Sequence, residues 1–245
     1  MNYKKGSLLY EGKGKRVFTI PGESELLWLE FKDSLTAFNA QKLGSFAHKG
    51  AINRDITSAI FYKLEAAGVA THRVQDLDVT EMICRKLTMI PLEVVVRNVV
   101  AGSFAKKFGL EEGATMPQPL VEFFYKKDEL ADPFVSDDQA LYLQTVRSQV
   151  ELDELKIAAL KINSSLVDFF KAIGIRLVDF KLEFGRGSDG RLYLGDEITP
   201  DSCRLWDLET QKKLDKDRFR RDLGGVAEGY QEVLNRIRQV YGGVK

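Results

Sequence analysis

The chain has 245 residues, 44% hydrophobic and 29% charged, with equal numbers of acidic and basic side chains. That length can bury a sizeable core in one large domain or two lobes, and a net charge of zero gives no global field to draw in nucleic acid or an anionic membrane. No apolar run approaches the ~20 residues needed to span a bilayer, and the first 16 residues lack the apolar h-region of a secretory signal. Cys84 and Cys203 match no metal-ligand spacing and are expected as idle thiols in a reducing cytosol. With only His48 and His72 present, both beside turn-like residues, neither a histidine metal site nor a Ser-His-Asp triad is expected.

Taken in chain order, Leu8–Glu11 and residues 16–20 read as strands flanking Gly12-Lys13-Gly14-Lys15. Two glycines let a backbone bend close to a ligand and two lysines supply positive charge. The pattern is neither a Walker loop nor GxGxxG, both of which open a helix. It resembles a glycine-containing hairpin folded over phosphates, as in protein kinases, although a solvated hairpin tip is the plainer reading. The nearly continuous apolar run Leu26–Phe31 suits a strand buried on both faces. Residues 32–49 read as irregular. Ile52, Ile56, Ile60 and Leu64 form a helical stripe that Gly68 is placed to end. Residues 79–87 and 92–100 read as strands, with Pro91 breaking the ladder between them and marking a connector between two lobes.

Arg97 lies in that second, strongly apolar strand and needs an anionic partner. A carboxylate or phosphate ligand would serve, held by two parallel bonds; an internal ion pair with Glu93 or another acid is the alternative. Ser103 can cap a short helix over residues 104–108, ended by Gly109. Further strands and helices follow: a strand over 121–125, a helix capped by Ser136, and a long amphipathic helix over 152–170 striped by Leu152, Leu155, Ala159, Ile162, Leu166 and Phe169. Asp217 is expected to cap a last helix with Leu223, Val226, Tyr230, Leu234 and Ile237 inward.

Residues 177–201 form the stretch on which the reading turns. Val178, Phe180, Leu182 and Phe184 should share one face of a strand, and Asp179, Lys181 and Glu183 the other. Asp189-Gly190 signals a two-residue type I′ turn, which puts Glu183 opposite Asp196. Carboxylates that close repel unless a cation sits between them or one is protonated. Mg²⁺ on nucleotide phosphates would meet that need, and Lys181 could serve the same phosphates. A surface hairpin with solvated charges is the alternative; Leu192 and Leu194 on the same face as Asp196 argue against it. Arg204, just beyond, is another candidate anion holder, with a salt bridge as its alternative.

These residues resemble the SAICAR synthetase family. Two signatures are present: Ile90-Pro91-Leu92-Glu93-Val94-Val95-Val96-Arg97 running on to Ala101-Gly102-Ser103, and Leu177-Val178-Asp179-Phe180-Lys181-Leu182-Glu183-Phe184-Gly185. Residues 10–15 (YEGKGK), 195–207 (GDEITPDSCRLWD) and 214–224 (LDKDRFRRDLG) also look like the family, as does Thr36-Ala37-Phe38-Asn39 before Ala40. The matches cover nearly the whole chain. The resemblance implies an α+β fold of two lobes related to ATP-grasp and kinase architectures, with ATP in the interlobe cleft. It divides the chain into a β-rich lobe over 1–88 and an α+β lobe over 89–245. It implies a cytoplasmic carbon–nitrogen ligase that joins L-aspartate to the carboxylate of the imidazole ribotide CAIR through an acyl phosphate, giving SAICAR, ADP and phosphate. Gly12, Lys13, Gly14, Lys15 and Met89 would hold ATP, Met89 through its backbone beside adenine, and Glu183 and Asp196 would hold Mg²⁺. Arg97, Ser103, Arg204, Lys126, Asp132 and Asp201 would serve the substrates, Lys126 and Asp132 for substrate or metal. Asp179 and Lys181 would line the reacting pocket. The resemblance implies small-molecule partners and is compatible with a homodimer. A kinase-like phosphotransferase is the rival activity, although no HRD or DFG set is present. A nucleotide-binding regulatory module is a further rival, which the intact Lys13, Lys181, Glu183 and Asp196 argue against.

Overall fold

The computed structural model describes residues 3–38 and 40–242; Asn39 of the Thr36–Ala40 motif lies outside them. Two antiparallel sheets organise the chain. The first follows the order β1 (Leu8–Glu11), β2 (Lys15–Phe18), β3 (Leu26–Phe31), β7 (Glu81–Arg85), β6 (Arg73–Asp76). The second follows β10 (Phe134–Val135), β9 (Thr115–Tyr125), β8 (Thr88–Val99), β11 (Ile175–Arg186), β12 (Leu192–Leu194), with β13 (Cys203–Asp207) also on β11. A small hairpin, β4 (Ser34–Ala37) with β5 (Lys42–Ser45), fills the stretch that sequence reads as irregular. The polar, glycine-punctuated sequence there lacks the apolar alternation that marks a strand.

The helices are α1 (Lys49–Ala66), α2 (Gly102–Phe108), α3 (Asp137–Tyr142), α4 (Gln149–Ala172), α5 (Asp217–Arg220) and α6 (Val226–Tyr241). All six residues of the α4 stripe are buried, and each fully buried Leu or Ile there is worth roughly 1.5–3 kcal/mol. Ile56 and Ile60 of α1, Tyr230 and Ile237 of α6, and the inward residues of β8 and β11 join the same core. The reciprocal Ser136–Gln139 box starts α3 as expected. Asp217 instead begins the four-residue α5, and α6 opens after Gly225. Leu223 is exposed.

Local chemistry also redirects other expectations. β3 is only half-buried: Leu29 and Phe31 are buried, whereas Leu26, Leu27, Trp28 and Glu30 are partly exposed, Leu27 where it fronts a cavity. β8 runs unbroken through Pro91: the missing N–H falls where the β8–β11 register shifts, between Glu183 and Gly185. A bulge tolerates proline where a regular ladder does not. A second irregularity, at Leu177/Asp179 against β13, sends Val178 to a separate cluster with Val99, Ala101 and Trp206, away from the core under Phe180, Leu182 and Phe184.

The central hairpin closes one residue earlier than a type I′ turn would. The Gly187 N–H donates to the Arg191 carbonyl, and in the turn only Gly190 has positive φ. This three-residue loop shifts the register, so Phe184 pairs with Leu194. Glu183 faces Gly195 rather than Asp196: the Gly195 N–H donates to its carbonyl. The end of β12 then bonds to residues 70–72 through the His72 N–H and the Ala70 carbonyl. That junction ties the two sheets together beside residues 195–197.

Candidate active site

Two cavities meet along β8 and β11. The first, of about 410 Å³, is walled by the Gly12–Lys15 turn, Leu27 and Leu29 of β3, Met89 and Glu93 of β8, Lys181 and Glu183 of β11, and residues 195–197. The second, of about 350 Å³, lies between Arg97 and Ser103, Asp179, and Arg204 and Arg220. Glu93, Lys181, Asp201, Ser202 and Lys216 line both.

Lys181 is the hinge of the electrostatics. Its ammonium contacts the Glu183 carboxylate and lies 3.0 Å from Glu93 and 3.5 Å from Asp196. Glu183 and Asp196 therefore share a cation and a cavity although their backbones are not paired. Burial alone would lower Lys181, but the carboxylates of Glu183, Asp196 and Glu93 outweigh it and hold the ammonium well above the ordinary lysine value. Burial would likewise raise Asp196; Lys15 and Lys181 instead keep it well below the carboxylate range. Lys15 also contacts Glu197, whose carboxyl is pushed up to about 7 by burial and by the adjacent Asp196 charge. Lys126 contacts Glu183 from the far side. Glu93, Glu183, Asp196 and Glu197 thus cluster with Lys15, Lys126 and Lys181, in a cavity whose lining carries as many bases as acids. No group of three or more His, Cys, Asp or Glu among the described residues could hold a metal alone, but Mg²⁺ on a nucleotide takes only one or two protein carboxylates beside phosphate oxygens.

The rest of the first cavity is apolar or glycine-lined. Gly185 leaves room for Met89: a Cβ there would lie 3.0 Å from the Met89 sulfur and 2.8 Å from Leu87 Cβ. Lys13 is on the rim, 2.9 Å from Asp128. Asp132 lines the same cavity, and its carboxylate accepts from the Lys127 N–H at 2.8 Å. His72 packs edge-on against Phe61, and burial drops its pKa to about 3, so the imidazole is neutral.

In the second cavity arginines join the two shared lysines. Arg97 donates to Asp179 at 3.0 Å and to Glu122 at 2.5 Å; Glu93, the sequence candidate, pairs with Lys181 instead. Arg204 holds both Asp179 oxygens, at 2.8 and 3.0 Å, and Asp217 at 3.0 Å. Gly102 makes this approach feasible: its φ is +55°, and a Cβ would lie 2.4 Å from an Arg204 guanidinium nitrogen. Ser103 does not cap α2, which starts after Ala101 without a side-chain cap; its hydroxyl lies 3.4 Å from an Arg97 nitrogen and faces the cavity. Asp201 is tied to Lys49 at 2.5 Å and accepts from Asn53 and Tyr230 at 2.8 Å.

The structure thus brings Gly12, Lys13, Gly14, Lys15, Met89, Lys126, Asp132, Lys181, Glu183 and Asp196 to the first cavity, and Arg97, Ser103, Asp179 and Arg204 to the second, with Asp201 on both. Glu197, Lys49 and Lys216 line the site as well, outside the residues that sequence marks. Glu197 could have been marked, from its place beside Asp196. Lys49 and Lys216 carry no local signal, since each meets the site only through tertiary packing.

The model of the SAICAR synthetase family matches residues 8–237. The phosphoribosylaminoimidazole-succinocarboxamide synthase of Nautilia profundicola is 52% identical over 95% of this chain and 99% of its own length. The crystal structure of the Ehrlichia chaffeensis enzyme of that name superposes with a TM-score of 0.91 at 44% identity, over 95% of this chain and 98% of the other. A SAICAR synthetase in complex with ADP superposes at 0.90 and 45%, over 94% and 97%. No helix among the described residues is long and apolar enough to cross a membrane.

Proposed function

The chain belongs to the SAICAR synthetase family and is an ATP-dependent ligase that forms SAICAR in purine biosynthesis, and from that premise we propose how its two cavities divide the reaction. The observation that carries the reading is Lys181, one ammonium shared by the acids of the first cavity and exposed to the second. ATP enters the first, between lobes 1–88 and 89–245, in an arrangement akin to ATP-grasp and kinase clefts. Gly12 and Gly14 let the hairpin close over it, Lys13 and Lys15 meet the phosphates, and Met89 flanks the base. Glu183 and Asp196 would hold Mg²⁺, which would supply neutralisation of phosphate charge. Lys126 and Asp132 support this edge.

CAIR occupies the second cavity. Arg97, Arg204 and Ser103 offer forked and hydroxyl donors to its phosphate or carboxylate, and Asp179 holds both guanidiniums in place. A carboxylate resists attack by an amine because its oxygen leaves badly. Phosphorylation turns that oxygen into a leaving group, and the amine of L-aspartate then displaces phosphate. Lys181 sits where charge builds as the phosphoryl group passes between cavities, so the protein contributes mainly position and charge. A kinase-like enzyme would stop at the phosphorylated product. The test is ADP release with CAIR, with and without L-aspartate: sustained turnover only with both supports the ligase reading, and equal turnover without aspartate would overturn it.

A further inference from the structure

Most cations around the two cavities are already committed. Lys15 lies between Asp196 and Glu197, Lys181 among three acids, Lys126 on Glu183, Arg97 on Asp179 and Glu122, and Arg204 on Asp179 and Asp217. Arg220 pairs with Asp217 at 2.7 Å. Lys216 differs. It precedes Asp217 at the start of α5, its side chain is 15% exposed, and it lines both cavities at their shared wall. Its one described partner is Asp201, at 3.6 Å, beyond hydrogen-bond reach. Asp201 is itself engaged by Lys49, Asn53 and Tyr230, so it is not free to close on Lys216.

A half-buried ammonium with unfilled donors facing two cavities is a ready partner for an incoming anion. Burial lowers the Lys216 pKa, the charges of Arg220 and Lys49 push the same way, and Asp201 and Glu197 only partly offset them. An incoming carboxylate would supply the missing partner. In the division of the site given above, ATP phosphates go to Lys13 and Lys15, and the anionic groups of CAIR go to Arg97, Arg204 and Ser103. The amine substrate, a dicarboxylic amino acid, still needs a cation where its nitrogen can reach the activated carbon between the cavities.

We propose that Lys216 is the residue that receives a carboxylate of the amino-acid substrate at the junction of the two cavities. The inference rests on the ligase reading and on that division of the site. It makes Lys216 a binding and specificity residue rather than a proton acceptor.

Steady-state ADP release with ATP, CAIR and L-aspartate tests this on the wild type, K216M and K216R. K216M should raise KM for L-aspartate roughly 10- to 100-fold, the loss of a charge-assisted hydrogen bond, while KM for ATP and for CAIR stays put. K216R keeps the charge without a titratable amine and should recover most of the aspartate affinity. If K216M melts well below wild type, K216Q is read in its place. An unchanged aspartate KM, or a shift in the CAIR or ATP KM instead, would overturn the proposal. So would K216R losing kcat as completely as K216M, the signature of a proton acceptor. Wild type that releases no aspartate-dependent ADP would instead overturn the ligase reading itself.

Discussion

The two cavities share a wall yet recruit different cations. Around the first, lysines are interleaved with acids, and one ammonium serves carboxylates on β8, on β11 and beyond β12. Around the second, arginines are locked in place, with Asp179 taking nitrogens of Arg97 and Arg204 together. A lysine is a point charge on a flexible stem, whereas a guanidinium is a rigid fork. The first arrangement can exchange partners when an anion arrives. The second presents a fixed template to one anionic ligand. On the proposed division of the site, transfer and recognition would occupy separate chambers that meet at Lys181.

The sharpest way to break that comparison is at the acids. Glu183→Gln or Asp196→Asn should cut Mg-dependent ADP release by ~10²–10³ or more with melting largely preserved; retained turnover in both, measured across a Mg²⁺ titration, would remove them from the nucleotide chemistry. The arginine side should respond differently. Arg97→Lys loses the fork and should weaken CAIR binding by about tenfold in calorimetric titration, with ADP affinity unchanged. Loss of ADP affinity instead would merge the two chambers into one.

A smaller effect lies beneath the second chamber. Asp215 accepts from the Leu205 and Asp217 N–H groups at 2.7 Å and so holds the segment bearing Lys216 against β13. Burial, then the neighbouring Asp217 charge, push its carboxyl up to about 7 from 3.8. Because the folded value is the higher one, the stability contributed by its protonated form is complete below the unfolded pKa and lost as pH rises through about 7. Asp215→Asn cannot ionise and should flatten that part of the melting-temperature profile; an unaltered slope would place the titration elsewhere. The smallest change belongs to the rim. Lys13→Ala removes an exposed pair with Asp128 and should alter stability by less than ~1 kcal/mol, while raising KM for ATP.

Much of this was legible in the chain. The glycine-lysine hairpin, the acid-bearing strand β11 and the α4 stripe follow from residue order, because turns, period-2 alternation and helical spacing are local. Glu183 and Asp196 were paired for an imperfect reason: the Asp189-Gly190 signal implied a two-residue turn, and the observed three-residue loop moves the register by one. The acids still converge because Lys181 gathers them. Arg97's partners could not be read, since Asp179 reaches it only across β8–β11 and Glu122 across β8–β9. Ser103 shows the limit of cap rules: α2 starts at Gly102, two residues early, and the Ser103 hydroxyl lies by Arg97 instead. Lys216 depends on contacts with Asp201 that no spacing encodes.

Phosphoryl transfer to a carboxylate held beside Lys181 is the central step of the proposed reaction. CAIR labelled with ¹⁸O in both carboxylate oxygens, turned over with ATP and L-aspartate, should deliver one labelled oxygen to the released phosphate and keep the other in the new amide. Unlabelled phosphate alongside labelled product would contradict it.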